Sequence, residues 1–206
     1  WATFDITLSD LIDVAMGKGT WAASILVDDN AKRVVLGGFV GAGLAVCGCA
    51  MQAVFRNPMA SPYLLGLSSG ASLGAAAGLL FSIPLIPAAV ATPALAFVTC
   101  FLTMLLVWGV SRIGGTTRTE TLLLTGIAVS SMMSAVVSFL TFIAGEKTED
   151  IVFWSMGSLS RAEWNEIAVV IPLIVIGVLL ILSYGKTLNA MMLGDAHAMD
   201  LGIEAG

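Results

Sequence analysis

Side chains able to do covalent or proton-transfer chemistry are sparse in this sequence. His197 is the only histidine among 206 residues. The cysteines are Cys47, Cys49 and Cys100, and all sit inside apolar runs. Cys47 and Cys49 are two apart, so on a helix they point to different faces. They read as small buried residues, not as a disulfide framework or a metal site. No nucleotide-binding loop of the G-x-x-x-x-G-K-[ST] kind is present. A membrane enzyme would need paired carboxylates, histidines or a nucleophile constellation near the interface. One histidine and scattered acids do not supply it, so no catalytic residue, metal ligand or cofactor is expected. What the spacing does supply is a polar, uncharged helix face. Ser130, Ser134, Ser138 and Thr141 follow at intervals of four, four and three, and so share one side of a helix. Met132 and Met133 add adaptable apolar surface beside them. Such a wall is weakly polar and carries no charge. Hydrogen bonding between helices is one use of the same serines.

The elements that carry this face are membrane elements. The chain is 58% hydrophobic and 11% charged, against roughly 25% charged in a soluble domain. Its mean hydropathy is +0.97. So apolar a chain has too little polar surface to cover itself in water, and a lipid bilayer is its expected solvent. The net charge of −5, with no basic tract, speaks against nucleic acid as a partner.

Residues 1–33 are mixed polar and read as an extramembrane segment, with Ser9 offered as the N-cap of a short amphipathic helix. Apolar runs follow at Val34–Phe55, Tyr63–Phe81, Ala88–Val110, Leu122–Ala144 and Ile167–Leu182. Each is near the ~20 residues that cross a bilayer. The transmembrane region is thus expected over 34–184, with about five spans. Within it, the apolar, aromatic stretch 151–159 is too short to span and suits a re-entrant or interfacial helix, with Trp154 and Trp164 at headgroup depth. The chain starts at Trp1 and stops at Gly206 in a polar stretch; both ends read as cut.

Gly66, Gly70, Gly74 and Gly78 recur every four residues, and Gly37 and Gly41 repeat that spacing in the first run. Smooth stripes of this kind let helix backbones approach closely, and ordinary bundle packing is their simplest use. Lining a conduit is the sharper reading. No span carries an ionisable residue in its middle. Proton- and sodium-coupled carriers usually need intramembrane carboxylates or unwound helices, so an external energy source is expected. Lysines and arginines divide between the two sides, and the positive-inside rule does not fix the orientation.

Three ordered blocks carry a family resemblance. The first holds Arg33, Gly41-Ala42-Gly43-Leu44-Ala45, Gly48, Gln52, Arg56-Asn57-Pro58-Met59-Ala60, Pro62, Leu65-Gly66 and Gly70-Ala71. The second is Leu123-Leu124-Thr125-Gly126-Ile127-Ala128-Val129-Ser130, then Phe153-Trp154-Ser155-Met156-Gly157-Ser158-Leu159 and Trp164. The third is Leu188-Asn189, Leu193-Gly194-Asp195, Ala198 and Leu201-Gly202. In order and spacing, residues 33–204 resemble the FecCD/BtuC-type permeases of ABC importers. The resemblance implies an all-α, polytopic transmembrane bundle, here the partial chain of a ten-helix permease, multi-pass in the cytoplasmic (inner) membrane. It implies a second permease subunit making a homodimer, two ATP-binding cassette ATPase subunits, and an extracytoplasmic substrate-binding protein. The permease itself would be non-catalytic. Its cargo would be an iron-siderophore, haem or cobalamin-like chelate.

The resemblance also implies roles for residues. Residues 1–33 would lie outside, and 185–206 would form a cytoplasmic coupling element seated in the ATPase. In it Gly194 can take a backbone conformation other residues resist, Asp195 can cap the helix that follows, and Leu193, Ala198, Leu201 and Gly202 complete the contact. His197 would be an exposed or contact residue. A plain amphipathic loop is the bland alternative. Met156, with the fourth span's serines, would line the translocation path at the dimer axis. Pro58 ends the first span, and Arg56 would sit in the cytoplasmic interface near anionic headgroups. That motif reads as architectural, with gating as the alternative. Lys32 and Arg33 would dock acidic residues of the binding protein. Relatives place two arginines three apart around a proline, where this chain has Asn30, Lys32 and Arg33, so only Arg33 matches. The competing function is an ion-coupled secondary transporter.

Overall fold

The computed structural model describes residues 7–81, 86–113, 119–160 and 162–194. Among them the regular structure is helical throughout. The helices are α1 (Leu8–Ala15), α2 (Trp21–Phe55), α3 (Leu67–Leu80), α4 (Ala88–Ser111), α5 (Thr119–Ile143), α6 (Thr148–Met156), α7 (Trp164–Ser183) and α8 (Gly185–Met192). Short 3-10 turns at Pro62–Leu65 and Gly145–Lys147 lead into α3 and α6.

Four helices are long and apolar enough to cross a membrane: Ala23–Phe55, Ala89–Ser111, Thr119–Ile143 and Trp164–Ser183. The second apolar run differs from the expected span. Its helix, α3, has 14 residues and so rises only about 21 Å, against about 30 Å of hydrocarbon. Pro62 and the left-handed Gly66 (φ 77°) take up the start of the run as a 3-10 turn. The first span differs in the opposite sense. Helix α2 starts at Trp21, not near residue 34, and has 35 residues, about 52 Å. The charged residues 28–33 therefore continue the helix. Asp28 and Asp29 pair with Lys32 at i,i+4 and i,i+3, spacings that support a helix. Likewise α1 forms, but it starts at Leu8, which puts Ser9 inside its first turn and not at its N-cap.

Two compact units divide the chain. The first comprises Trp1–Val46 and Ser158–Leu180. Within it Gly43 brings α2 against α7: a Cβ there would stand 3.1 Å from Ile174 Cγ2. Gly37 lies in ordinary contact with Leu159, and Gly41 has nothing within 4 Å.

The second unit comprises Cys47–Gly157 and Ile181–Gly206. Its core joins Phe55, Ala60, Leu65, Val107 and Val129, with Met51, Met104 and Met133 packed against it. Helix α3 lies against α4 along the glycine stripe. A Cβ on Gly70 would run into Thr103, one on Gly74 into Thr99 and the Leu95 carbonyl, and one on Gly78 would stand 3.0 Å from Thr92 Cα. The threonines of α4 fold their hydroxyls onto their own helix: Thr99 Oγ1 donates to Leu95 O at 2.7 Å and Thr103 Oγ1 to Thr99 O at 2.7 Å. The same hydroxyl oxygens face the glycines, already satisfied by their own helix, so the contact leaves no polar group unpaired at Thr99 and Thr103. The stripe is thus filled by α4. Gly66 stands apart from it, in the turn before α3, where a Cβ would approach Ser130 Oγ to 2.9 Å.

Candidate functional site

The serine face of α5 divides into packed ends and an open middle. Ser130 is half-buried where α5 meets the Gly66 turn. One turn before it, Gly126 lies so close to the Leu64 carbonyl that a side chain would collide with it. At the other end Thr141 Oγ1 donates to Val137 O at 2.8 Å, and its own carbonyl accepts Thr148 Oγ1 at 3.0 Å. Ser134 and Ser138 between them are exposed. The face therefore exposes two hydroxyls, not four.

Helix α6 follows directly. Glu149 and Asp150 occupy its first turn, where carboxylates meet the positive end of the helix dipole. Ile151 is buried and anchors it. Phe153 and Met156 point away and are exposed, Met156 at 75%. The 3-10 turn before α6 carries Lys147, whose Nζ donates to Leu79 O at 2.8 Å and Leu80 O at 3.3 Å. A cation thus sits on the last carbonyls of α3, which lack intrahelical donors.

The two basic residues expected to dock a partner stand in different environments. Lys32 Nζ lies 2.8 Å from Asp28 Oδ2 and 3.4 Å from Asp29 Oδ1, with its side chain only 12% exposed. Asp28 also accepts Trp164 Nε1 at 2.9 Å. Lys32 is therefore an internal strut between α2 and the start of α7. Arg33 is exposed and donates through Nη2 to Ser160 O at 3.3 Å. This leaves Arg33 as the accessible cation of the pair.

At the other end of α2 the chain turns sharply. Arg56 has φ +48°. Asn57 N bonds Gln52 O at 3.2 Å and Arg56 N bonds Ala53 O at 3.3 Å, the double closure of a helix ended by a left-handed residue. Asn57 Oδ1 then accepts Met59 N at 2.9 Å. A non-glycine residue in this region costs about 1–2 kcal/mol. Pro58 marks the stop in the sequence, whereas the left-handed arginine two residues before it is set by the turn itself.

Of the residues expected in a coupling element, Leu193 and Gly194 are described, whereas Asp195, Ala198, Leu201 and Gly202, with His197, lie outside the described residues. Helix α8 ends at Met192; Leu193 N bonds Ala190 O and Gly194 N bonds Met191 O. Leu193 is exposed, and Gly194 has φ +109°, a region L side chains resist.

The four apolar spans mark a multi-pass membrane protein. Comparison with known proteins makes this specific. Residues 1–206 match the FecCD transport family. The chain is 37% identical over 199 residues to the "Cobalamin import system permease protein BtuC" of Halobacterium salinarum, covering 97% of this chain and 53% of that protein. It is 38% identical over 174 residues to the "Hemin transport system permease protein HmuU" of Yersinia pestis, covering 83% and 52%. A solved ABC transporter assigned to the metal-chelate type, in an inward-facing conformation, superposes with a TM-score of 0.75 at 29% identity, covering 85% of this chain and 55% of that one. The chain belongs to the FecCD transport family. It spans about half the length of the curated relatives it matches.

Proposed function

We propose that this chain is part of the permease subunit of a binding-protein-dependent ABC importer. It would move an iron-siderophore, haem or cobalamin-like chelate across the cytoplasmic membrane. The observation that carries this reading is the family match over all of residues 1–206. Relatives named for cobalamin and hemin transport supply the cargo class. The permease would be non-catalytic, drawing on an ATP-binding cassette ATPase, an extracytoplasmic binding protein and a second permease subunit.

Roles for the residues follow from their placement. Ser134, Ser138 and Met156 are accessible and suit the translocation path; Ser130 and Thr141 support it from the packed ends of α5. Arg33 would meet the binding protein. Residues 185–206 would reach the ATPase, with Leu193 as an exposed apolar contact. The ion-coupled alternative finds no support in the spans. Between Arg33 and Arg56, and along α4 and the bodies of α5 and α7, the sequence holds no acidic, basic or histidine side chain to bind a coupling ion.

The test is reconstitution of the full subunit with its ATPase and binding protein in liposomes. Chelate uptake that requires ATP supports the reading. Uptake driven by an ion gradient without ATP overturns it.

A further inference from the structure

Helix α4 has two unlike sides. On one, Thr103 packs on Gly70 and Val107 lies in the core. On the other, Phe97, Phe101, Leu105, Trp108 and Arg112 follow at intervals of four, four, three and four, and so lie in one line. All five are exposed. The span ends at Ser111. Arg112 therefore stands where hydrocarbon gives way to headgroups, with Trp108 one turn inside it. From Phe97 to Trp108 the helix rises about 16 Å, half of a ~30 Å hydrocarbon core. The apolar line thus runs along one leaflet and finishes in a cation. The guanidinium carbon of Arg112 sits 4.7 Å over the Trp108 ring. Stacking of this kind holds a guanidinium by one face and leaves its N–H edge open. Among the described residues no carboxylate pairs with it. Arg112 is also the C-cap of α4, but a helix end offers only about half a negative charge against the full positive one. A net positive charge remains for an anion.

We propose that this line is a site for an anionic phospholipid: the phosphodiester meets Arg112, and one acyl chain lies along Leu105, Phe101 and Phe97. The planar fork of arginine matches two phosphate oxygens at once. Charge and depth select the occupant. A lipid places its anion at the end of the span and its chain beside the apolar line, in the order in which α4 presents them. The site depends on the chain spanning a membrane, and not on what drives transport.

The experiment uses the full-length permease in lipid nanodiscs, with every tryptophan except Trp108 replaced by phenylalanine. The discs hold equal amounts of phosphatidylglycerol and phosphatidylcholine, and only one of the two carries bromine on its acyl chains. Quenching of Trp108 then reports which lipid lies beside it. The anionic lipid should be favoured by about 5-fold, the scale of one basic residue at a charged membrane surface, and by less at high salt. Arg112→Gln should abolish the preference while both lipids still quench, which shows that the helix still faces lipid. Arg112→Lys keeps the charge but loses the planar fork, and should fall between. Where the single-tryptophan protein fails to fold, lipids retained on the wild-type permease and on Arg112→Gln, counted by native mass spectrometry, give the same comparison. Equal quenching by the two lipids with Arg112 in place would overturn the proposal, and so would a preference that survives Arg112→Gln. Quenching by neither lipid would mean that protein covers the line, either the rest of the chain or a second copy, and would also overturn it. Uptake on an ion gradient without ATP would remove the importer reading and leave this site standing.

Discussion

The Lys32 ammonium lies 2.8 Å from the Asp28 carboxylate, and the same carboxylate accepts the Trp164 indole N–H. This pairing takes Lys32 out of the set of charges able to meet a partner and leaves Arg33 in it. Reversing Arg33 (Arg33→Glu) should therefore weaken association with the binding protein and flatten its dependence on salt. Lys32→Gln should change that affinity far less. Titration of the permease with its binding protein at low and high ionic strength checks both. An equal loss from the two variants would contradict the assignment.

The glycines of α3 and α2 should behave oppositely. Gly74 faces Thr99 and the backbone of Leu95 with no room for a methyl group. Gly74→Ala should destabilise the protein by about 1–3 kcal/mol, as overpacking does. Gly41 has open space around it, so Gly41→Ala should raise stability by about 0.5–1 kcal/mol through helix propensity. Melting in detergent separates the two.

Their contrast shows what could be read from sequence. The four-residue spacing of Gly70, Gly74 and Gly78 marks a smooth helix side, and the structure fills that side with α4. Spacing alone did not distinguish Gly41 from Gly43, which meets Ile174, because which of two nearby glycines faces a neighbour depends on helix rotation. Hydropathy located the apolar runs, but two boundaries moved. The charges at 28–33 looked like a segment apart from the membrane, yet at i,i+3 and i,i+4 they extend α2. Pro62 and Gly66 spend the start of the second run on a turn, so its helix is short. The serine periodicity of α5 was legible. That its ends are packed and its middle open depends on the Gly66 turn and the Thr148 hydroxyl, which only tertiary structure brings there.

Lys147 should act as a remote cap for α3. Its ammonium donates to Leu79 O and Leu80 O, so Lys147→Met should lower stability by about 0.3–1 kcal/mol. Amide exchange should speed up in the last turn of α3 before it does in α4. Equal exchange in wild type and variant would contradict the cap.

Ser134 and Ser138 should matter to passage and Ser130 to folding. Ser134→Leu with Ser138→Leu should slow chelate uptake while leaving melting and ATPase assembly unchanged. Ser130→Leu should instead lower the melting temperature, since its hydroxyl sits against the Gly66 turn. Uptake measured beside thermal melting on the same preparations tells the two effects apart.

In the proposed importer, residues 185–206 carry the drive from ATP hydrolysis to the permease. The most direct test joins Leu193→Cys to the ATPase by crosslinking, with and without nucleotide, in a full-length importer whose chelate uptake is followed in parallel. Leu193 is preferred to Gly194, whose φ of +109° resists any side chain. A crosslink that changes with nucleotide is expected, with uptake that stops when ATP is withheld. An active importer with no crosslink at this position, taking up chelate on an ion gradient alone, would contradict it.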